Sequence, residues 1–191
     1  MEIFTAAATL FLVMDPLGNI PVFLSVLKRY DAQRRRRIII RELLIALVVA
    51  LAFLFLGQYI LGLFNLRQES ISIAGGIVLF IIALRMIFPQ RGSFADEYGA
   101  DEPFVVPLAI PLVAGPSLLA TLLIMSRTDP TRLAHWTVAL LVAWFVSAII
   151  LIASPLFYRL LGERGLTAME RLMGMLLVAL SVQMFLDGIR G

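Results

Sequence analysis

Long apolar runs separated by short polar connectors dominate the pattern of this sequence. An apolar segment of about 20 residues is long enough to cross a bilayer as a helix. The pattern predicts six such segments, at residues 3–27, 38–62, 69–88, 104–126, 134–158 and 167–189. Most charged residues lie in the connectors or near segment ends. The sequence therefore predicts an all-α polytopic membrane protein with six transmembrane helices.

Composition supports this class of protein and removes several others. Of the 191 residues, 61% are hydrophobic and 15% are charged, whereas about a quarter of the residues are charged in a typical soluble domain. The chain has no cysteine and a single histidine, His135. We therefore expect no disulfide, no thiol chemistry and no metal or other bound cofactor. Residues 1–191 are predicted to form one membrane domain.

Basic residues are concentrated in the first connector, and this bias predicts how the chain crosses the membrane. Lys28, Arg29 and the four arginines at 34–37 lie between the first two apolar segments. Because basic loops stay on the cytoplasmic side, six crossings place both termini outside. The net charge of +3 comes largely from this cluster. We interpret it as an orientation signal that attracts anionic membrane lipid, and we expect no nucleic-acid partner.

Weak internal similarity divides the chain into two halves, 1–88 and 104–191, joined by an acidic connector at 89–103 that we expect to be cytoplasmic. The stretch AGGIVLFIIALRMI at 74–87 aligns with LMGMLLVALSVQMF at 172–185. Proline and glycine also cluster in the first apolar segment of each half. Three crossings per half turn the second half upside down, and a 3+3 inverted repeat is typical of secondary transporters.

Helix-breaking residues interrupt the first and the fourth apolar segments near their middle. The two interruptions read MDPLGNIPVFL at 14–24 and PLAIPLVAGPSLLATL at 107–122. Proline removes a backbone donor and clashes with the preceding helical turn. Broken backbone at mid-membrane depth is tolerated only where it is buried in protein or lines a wet cavity. We therefore predict that helices 1 and 4 are broken and meet near the middle of the membrane, and that no continuous helix runs through 15–21.

These breaks predict a binding site for a zwitterion. Free N–H groups at the two helix starts, around Asn19 and around Ser117, would hold a carboxylate. Asp15 would hold an amine or a coupling ion, because it is the only carboxylate that the pattern places deep in a segment; the others, Glu42 among them, lie near segment ends. The candidate binding residues are Asp15, Pro16, Gly18, Asn19, Pro21, Gly115, Pro116, Ser117, Leu118 and Thr121. Two simpler interpretations remain, in which Asp15 only caps a helix and the prolines only aid packing.

At these two motifs the sequence resembles the MarC family of bacterial inner-membrane proteins, which includes the SnatA-like amino-acid transporters. The matching stretches are DPLGNIPVFL at 15–24 and PLAIPLVAGPSLLA at 107–120, and their wording is closest to the YhgN-type branch. The resemblance implies an inner-membrane location, broken first and fourth helices, and transport of small neutral amino acids such as glycine and alanine. Many relatives have Gly-Pro-Gly where this chain has Ser117, which leaves the substrate open.

We therefore expect a secondary transporter, working in export, for amino acids of the glycine, alanine and serine class. Alternating access would be coupled to a proton or sodium gradient, with burial favouring proton binding at Asp15. An uncoupled channel or facilitator for a small polar solute and a non-transporting structural or assembly factor are the alternatives. We expect no enzyme, since no second deep acid or deep histidine accompanies Asp15. The sequence is compatible with a homo-oligomer.

Overall fold

The structure is a computed structural model that describes residues 2–27, 30–63, 65, 67–88 and 104–190, with the backbone alone described at 68, 157–164, 166 and 170. The predicted connector 89–103 and the basic residues Lys28 and Arg29 lie outside the described residues. The helices are α1 (Ile3–Met14), α2 (Pro16–Val26), α3 (Ala32–Leu63), α4 (Gln68–Ile87), a π-helical turn named here the π segment (Leu108–Val113), α5 (Pro116–Thr128), a 3₁₀ turn (Pro130–Arg132), α6 (Leu133–Ile152) and α7 (Ser154–Arg190).

Five helical stretches of the described chain are long and apolar enough to cross a membrane. They are Ile3–Val26, Ala32–Leu63, Glu69–Ile87, Pro130–Leu156 and Thr167–Arg190. The expected all-helical polytopic membrane protein is thereby confirmed, and five of the predicted segments are recovered. The remaining predicted segment, 104–126, is no continuous helix because it contains the π segment and most of α5.

Two stretches that the sequence pattern assigned to connectors are helical. Helix α3 has 32 residues, about 48 Å at 1.5 Å per residue, and therefore extends beyond a hydrocarbon core of roughly 30 Å with the arginines at 34–37 on its first turns. Helix α7 has 37 residues and includes residues 159–166, which the pattern placed between the fifth and sixth segments. Helix α6 accordingly ends at Ile152, although the apolar stretch that could cross the membrane continues to Leu156, close to the predicted end at 158. Pro155 fits the first turn of α7, where no N–H partner is needed, and the charged residues after it are good helix formers.

Helix pairing places the two broken helices in the interior. Helices α1 and α2 pack against α6, while the π segment and α5 pack against α3. Helices α3 and α6 also contact each other, and α4 and α7 form the most extensive pair. Among the fully buried side chains are Leu10, Phe23, Leu118 and Leu140. The core therefore lies where the broken helices meet their neighbours.

Glycines bring the backbones of α4 and α7 close together. A Cβ atom at Gly76 would lie 2.9 Å from the carbonyl oxygen of Ser181, and one at Gly174 would lie 3.1 Å from that of Ala83. Small residues permit such approach between membrane helices, where close van der Waals packing stabilises association. The pair is thereby held as one unit beside the second break.

Candidate functional site

The first break is one residue wide. Helix α1 ends at Met14 and α2 begins at Pro16, with Asp15 between them in the left-handed conformation (φ 42°, ψ 59°). The carboxylate of Asp15 accepts a hydrogen bond from the Gly18 N–H at 3.1 Å, and its carbonyl oxygen accepts one from the Asn19 N–H at 3.1 Å. Asp15 is therefore the N-cap of α2.

The other helix breakers of the first motif lie inside α2. Gly18, Asn19 and Pro21 were expected to help interrupt the helix over 15–21, but the interruption is confined to Asp15. Pro21 removes a single hydrogen bond, to the carbonyl of Leu17 one turn earlier. Gly18 is required by the cap, because a Cβ atom there would collide with the Asp15 carboxylate.

Asn19 joins the two breaks. Its side chain is buried, and its Nδ2 atom donates to the carbonyl oxygen of Met14 at 3.0 Å and to that of Leu112 at 3.2 Å. Met14 closes α1 and Leu112 lies in the π segment, so both carbonyls belong to backbone that lacks regular helical partners. The two breaks therefore meet inside the protein.

The second break is wider than the first. The π segment contains Ile110 in an extended conformation (φ −129°, ψ 128°), and Gly115 is extended as well (φ −74°, ψ 162°). A Cβ atom at Gly115 would lie 2.7 Å from the carbonyl oxygen of Pro111. Glycine is therefore needed where the chain leaves the π segment and enters α5.

Helix α5 begins without a side-chain cap. Pro116 is its first residue, and the first intrahelical bond runs from the Leu119 N–H to the Gly115 carbonyl oxygen at 3.0 Å. The N–H groups of Ser117 and Leu118 precede that bond, so they carry the positive end of the helix dipole. The hydroxyl of Thr121 donates back to the carbonyl oxygen of Ser117 at 2.8 Å. Thr121 thus serves its own helix.

A cavity of about 330 Å³ lies between α4, the π segment and α5. Its lining is almost entirely apolar and includes Ile71, Val78, Ile110 and Leu119. Among the predicted binding residues, only Pro116 lines it. The cavity adjoins the uncapped start of α5 and therefore combines an apolar space with a positive helix end.

Asp15 and Ser117 have exposed side chains, while Pro16, Asn19, Pro21 and Leu118 are buried. The hydrogen bond of the Asp15 carboxylate stays within its own turn. Proton binding at Asp15 was expected from burial, whereas the protein itself leaves this side chain exposed in this conformation. In the described part of the chain, the structure brings Asn19 to the second break and leaves Asp15 as a cap on the surface.

Glu42 is a buried acid that the sequence pattern placed near a segment end. It is fully buried in α3, and its Oε1 atom lies 2.9 Å from Nη2 of Arg41. Its position belongs to a stripe of buried residues at helical spacing. Because α3 is apolar on its other faces as well, the sequence pattern alone does not distinguish this stripe. That stripe contains Ile38, Ile39, Glu42, Leu43, Ala46 and Ala50. No group of three or more His, Asp or Glu side chains suited to a metal ion occurs among the residues that the structure describes.

Comparison with known proteins finds relatives along the whole chain. The family described as MarC family integral membrane protein matches residues 1–191. The chain is 56% identical over 190 residues to the UPF0056 inner membrane protein YhgN of Escherichia coli K12, covering 99% of this chain and 96% of the relative. A UPF0056 membrane protein of Buchnera aphidicola subsp. Schizaphis graminum is 53% identical over 189 residues, with coverage of 99% and 96%. One from Methanocaldococcus jannaschii is 38% identical over 192 residues, with coverage of 96% and 84%. No solved structure matches.

Proposed function

This chain belongs to the MarC family of integral membrane proteins, and we propose that it is a secondary transporter that exports small neutral amino acids. The observation that carries the proposal is the hydrogen bond from Asn19 Nδ2 to the Leu112 carbonyl oxygen, which joins two helix breaks in the interior. Broken helices that meet within a membrane domain are typical of transporter binding sites. The apolar helices of this chain and the name of the E. coli relative support a multi-pass protein of the inner membrane.

Helix pairing supports an inverted repeat of residues 1–88 and 104–191. The broken helix of each half packs on the second helix of the other half: α1 on α6, and the π segment and α5 on α3. Helix α2 packs on both α6 and α7. The third helices, α4 and α7, pack on each other. Two halves related in this way would rock about the joined breaks and open the site to each side in turn. In this proposal the arginines at 34–37 face the cytoplasm and both termini lie outside.

The uncapped start of α5 and the neighbouring cavity favour a small neutral zwitterion. The N–H groups of Ser117 and Leu118 would hold its carboxylate. Carbonyl groups of the π segment that lack helical donors would hold its ammonium group. The apolar cavity against Pro116 would take its side chain and would disfavour a charged one, because an unpaired ion is costly to bury. Glycine, alanine and serine meet these requirements.

Transport by the purified protein in liposomes tests the proposal. Labelled glycine, alanine and serine would be supplied with an imposed proton or sodium gradient, using wild type, Asn19→Ala and the control Gln183→Ala on the exposed face of α7. We expect accumulation of at least one amino acid against its gradient, lost in Asn19→Ala and retained in the control. Equilibration without accumulation would instead indicate a facilitator. Absence of flux for all three with folded protein would contradict the proposal and favour a structural role.

A further inference from the structure

Glu42 is a carboxylate that the fold buries completely and satisfies only in part. Its side chain is 0% exposed. Its Oε1 atom accepts a hydrogen bond from Nε of Arg41 at 3.0 Å, whereas its Oε2 atom has no hydrogen-bond partner among the described residues. A buried charged oxygen without a partner is destabilising, and such groups persist in membrane domains mainly at functional positions. The unpaired Oε2 atom is available to accept a proton.

Among the residues that the structure describes, Arg41 is the charged group paired with Glu42. Trp144 of α6 donates to the carbonyl oxygen of Leu43 at 2.8 Å, so α6 meets Glu42 near Trp144. His135 of α6 is exposed and precedes Trp144 by nine residues, which is roughly 13 Å along the helix. The π segment contains no ionisable residue.

The charges of α5 and of α3 itself lie farther away. Leu123 of α5 packs against Gly57, which follows Glu42 by about 22 Å along α3. Arg127, one turn beyond Leu123, is therefore at the opposite end of the helix pair. Arg35 lies on the same face of α3 two turns before Glu42, and it donates to the carbonyl oxygen of Tyr30 at 3.2 Å.

Arg41 connects Glu42 to the second break. Its guanidinium carbon lies 5.2 Å from the centroid of the Phe104 ring, and Phe104 is four residues before the π segment. A guanidinium over an aromatic face is attracted by the ring. The contact with Glu42 thus holds Arg41 where it touches the chain that leads into the break.

We propose that Glu42, and not Asp15, binds the coupling proton, and that Arg41 and Phe104 transmit its charge state to the second break. The inference rests on the proposed transport function. In the described conformation the side chain of Glu42 is paired with Arg41. One proton taken up from one side of the membrane neutralises Glu42, ends its ion pair and allows the π segment to rearrange; release of that proton on the other side restores the pair. Asp15 is exposed and caps α2, which is a structural role.

Infrared difference spectroscopy of the full chain in liposomes tests proton binding without relying on transport. Acidification of wild type should produce the carbonyl stretch of a buried protonated carboxyl group. Glu42→Gln should lose this band. Glu69→Gln is the matched control, because Glu69 also pairs with an arginine, Arg67, at 3.3 Å but on the surface. A band that persists in Glu42→Gln would overturn the proposal.

Transport measurements then distinguish a coupling role of Glu42 from a purely structural role of its ion pair with Arg41. Glu42→Gln should lose proton-driven accumulation and the pH dependence of transport, yet still exchange labelled substrate between equal solutions on both sides. Glu42→Asp keeps a titrating group and should retain accumulation with a shifted pH profile, which covers the case in which Glu42→Gln does not fold. Proton-driven accumulation by folded Glu42→Gln would overturn the proposal.

The two proposals fail in different ways. If wild type accumulates amino acids only with a sodium gradient, or if Glu42→Gln accumulates them as well as wild type does, the proposed proton site is wrong. The proposed transport function is unaffected by either result. If wild type moves none of the three amino acids, the transport function fails and the coupling role of Glu42 fails with it. The infrared band then decides whether Glu42 binds a proton: its loss in Glu42→Gln supports that part, and its persistence overturns it.

Discussion

The two helix breaks differ in width although both are built from proline and glycine. At the first, Asp15 alone leaves helical geometry and caps the next helix with its carboxylate. At the second, the π segment, Ala114 and Gly115 separate α5 from the preceding chain, and α5 starts without a side-chain cap. A cap beside one proline closes a helix end within its own turn, whereas repeated prolines leave backbone groups without regular partners. The first break is therefore a narrow, capped joint, and the second has backbone groups that a ligand could contact.

The largest effect is expected where the two breaks are joined. Asn19→Leu removes both hydrogen bonds of the buried amide and leaves the carbonyls of Met14 and Leu112 unsatisfied. We expect a loss of about 2–4 kcal/mol in the free energy of unfolding, because each buried unsatisfied polar group costs roughly 1–3 kcal/mol. Denaturant unfolding in detergent measures it. Gln183→Leu, on an exposed face of α7, is the control and should change stability little; an equal effect of both would show that the link is unimportant.

A smaller effect is expected from adding a side chain within the second, wider break. Gly115→Ala places a Cβ atom 2.7 Å from the carbonyl oxygen of Pro111 and should displace the start of α5. We expect about 1–3 kcal/mol of destabilisation, the usual range for overpacking, together with reduced amino-acid flux. The control Gly62→Ala adds a Cβ atom in open space near the end of α3, where alanine is the better helix former. Unchanged amino-acid flux in Gly115→Ala would show that the second break is not part of the binding site.

The smallest effect is expected at the narrow break. Asp15→Asn keeps a side chain that caps helices well and tolerates the left-handed conformation. We expect its stability to stay within about 0.5 kcal/mol of wild type and its proton-driven transport to persist, whereas Asp15→Ala should lose about 1 kcal/mol or more with the cap. Thermal unfolding and uptake assays measure the two quantities. Loss of coupling in a stable Asp15→Asn protein would restore Asp15 as the ion site.

Interpretation of the fold from sequence succeeded for features that depend on residues close together along the chain. An apolar run long enough to span a bilayer predicts its own helix, and the absent N–H of Pro16, Pro111 and Pro116 places the breaks in the right motifs. The interpretation was less accurate at 159–166, where charged residues were taken to indicate a connector. Arginine and glutamate are good helix formers in water. Their charge therefore indicates where a membrane span ends but not where the helix ends.

Sequence alone therefore determined the membrane class, the helical content, the positions of both breaks and the resemblance that the family match confirmed. Only the tertiary structure decided that Asn19 bonds to Leu112, 93 residues away, that Asp15 faces outward and that Glu42 is buried. The reason is physical. Helix formation and helix breaking depend on neighbours within a turn, whereas burial depends on which helix faces meet, and those contacts join residues far apart along the chain.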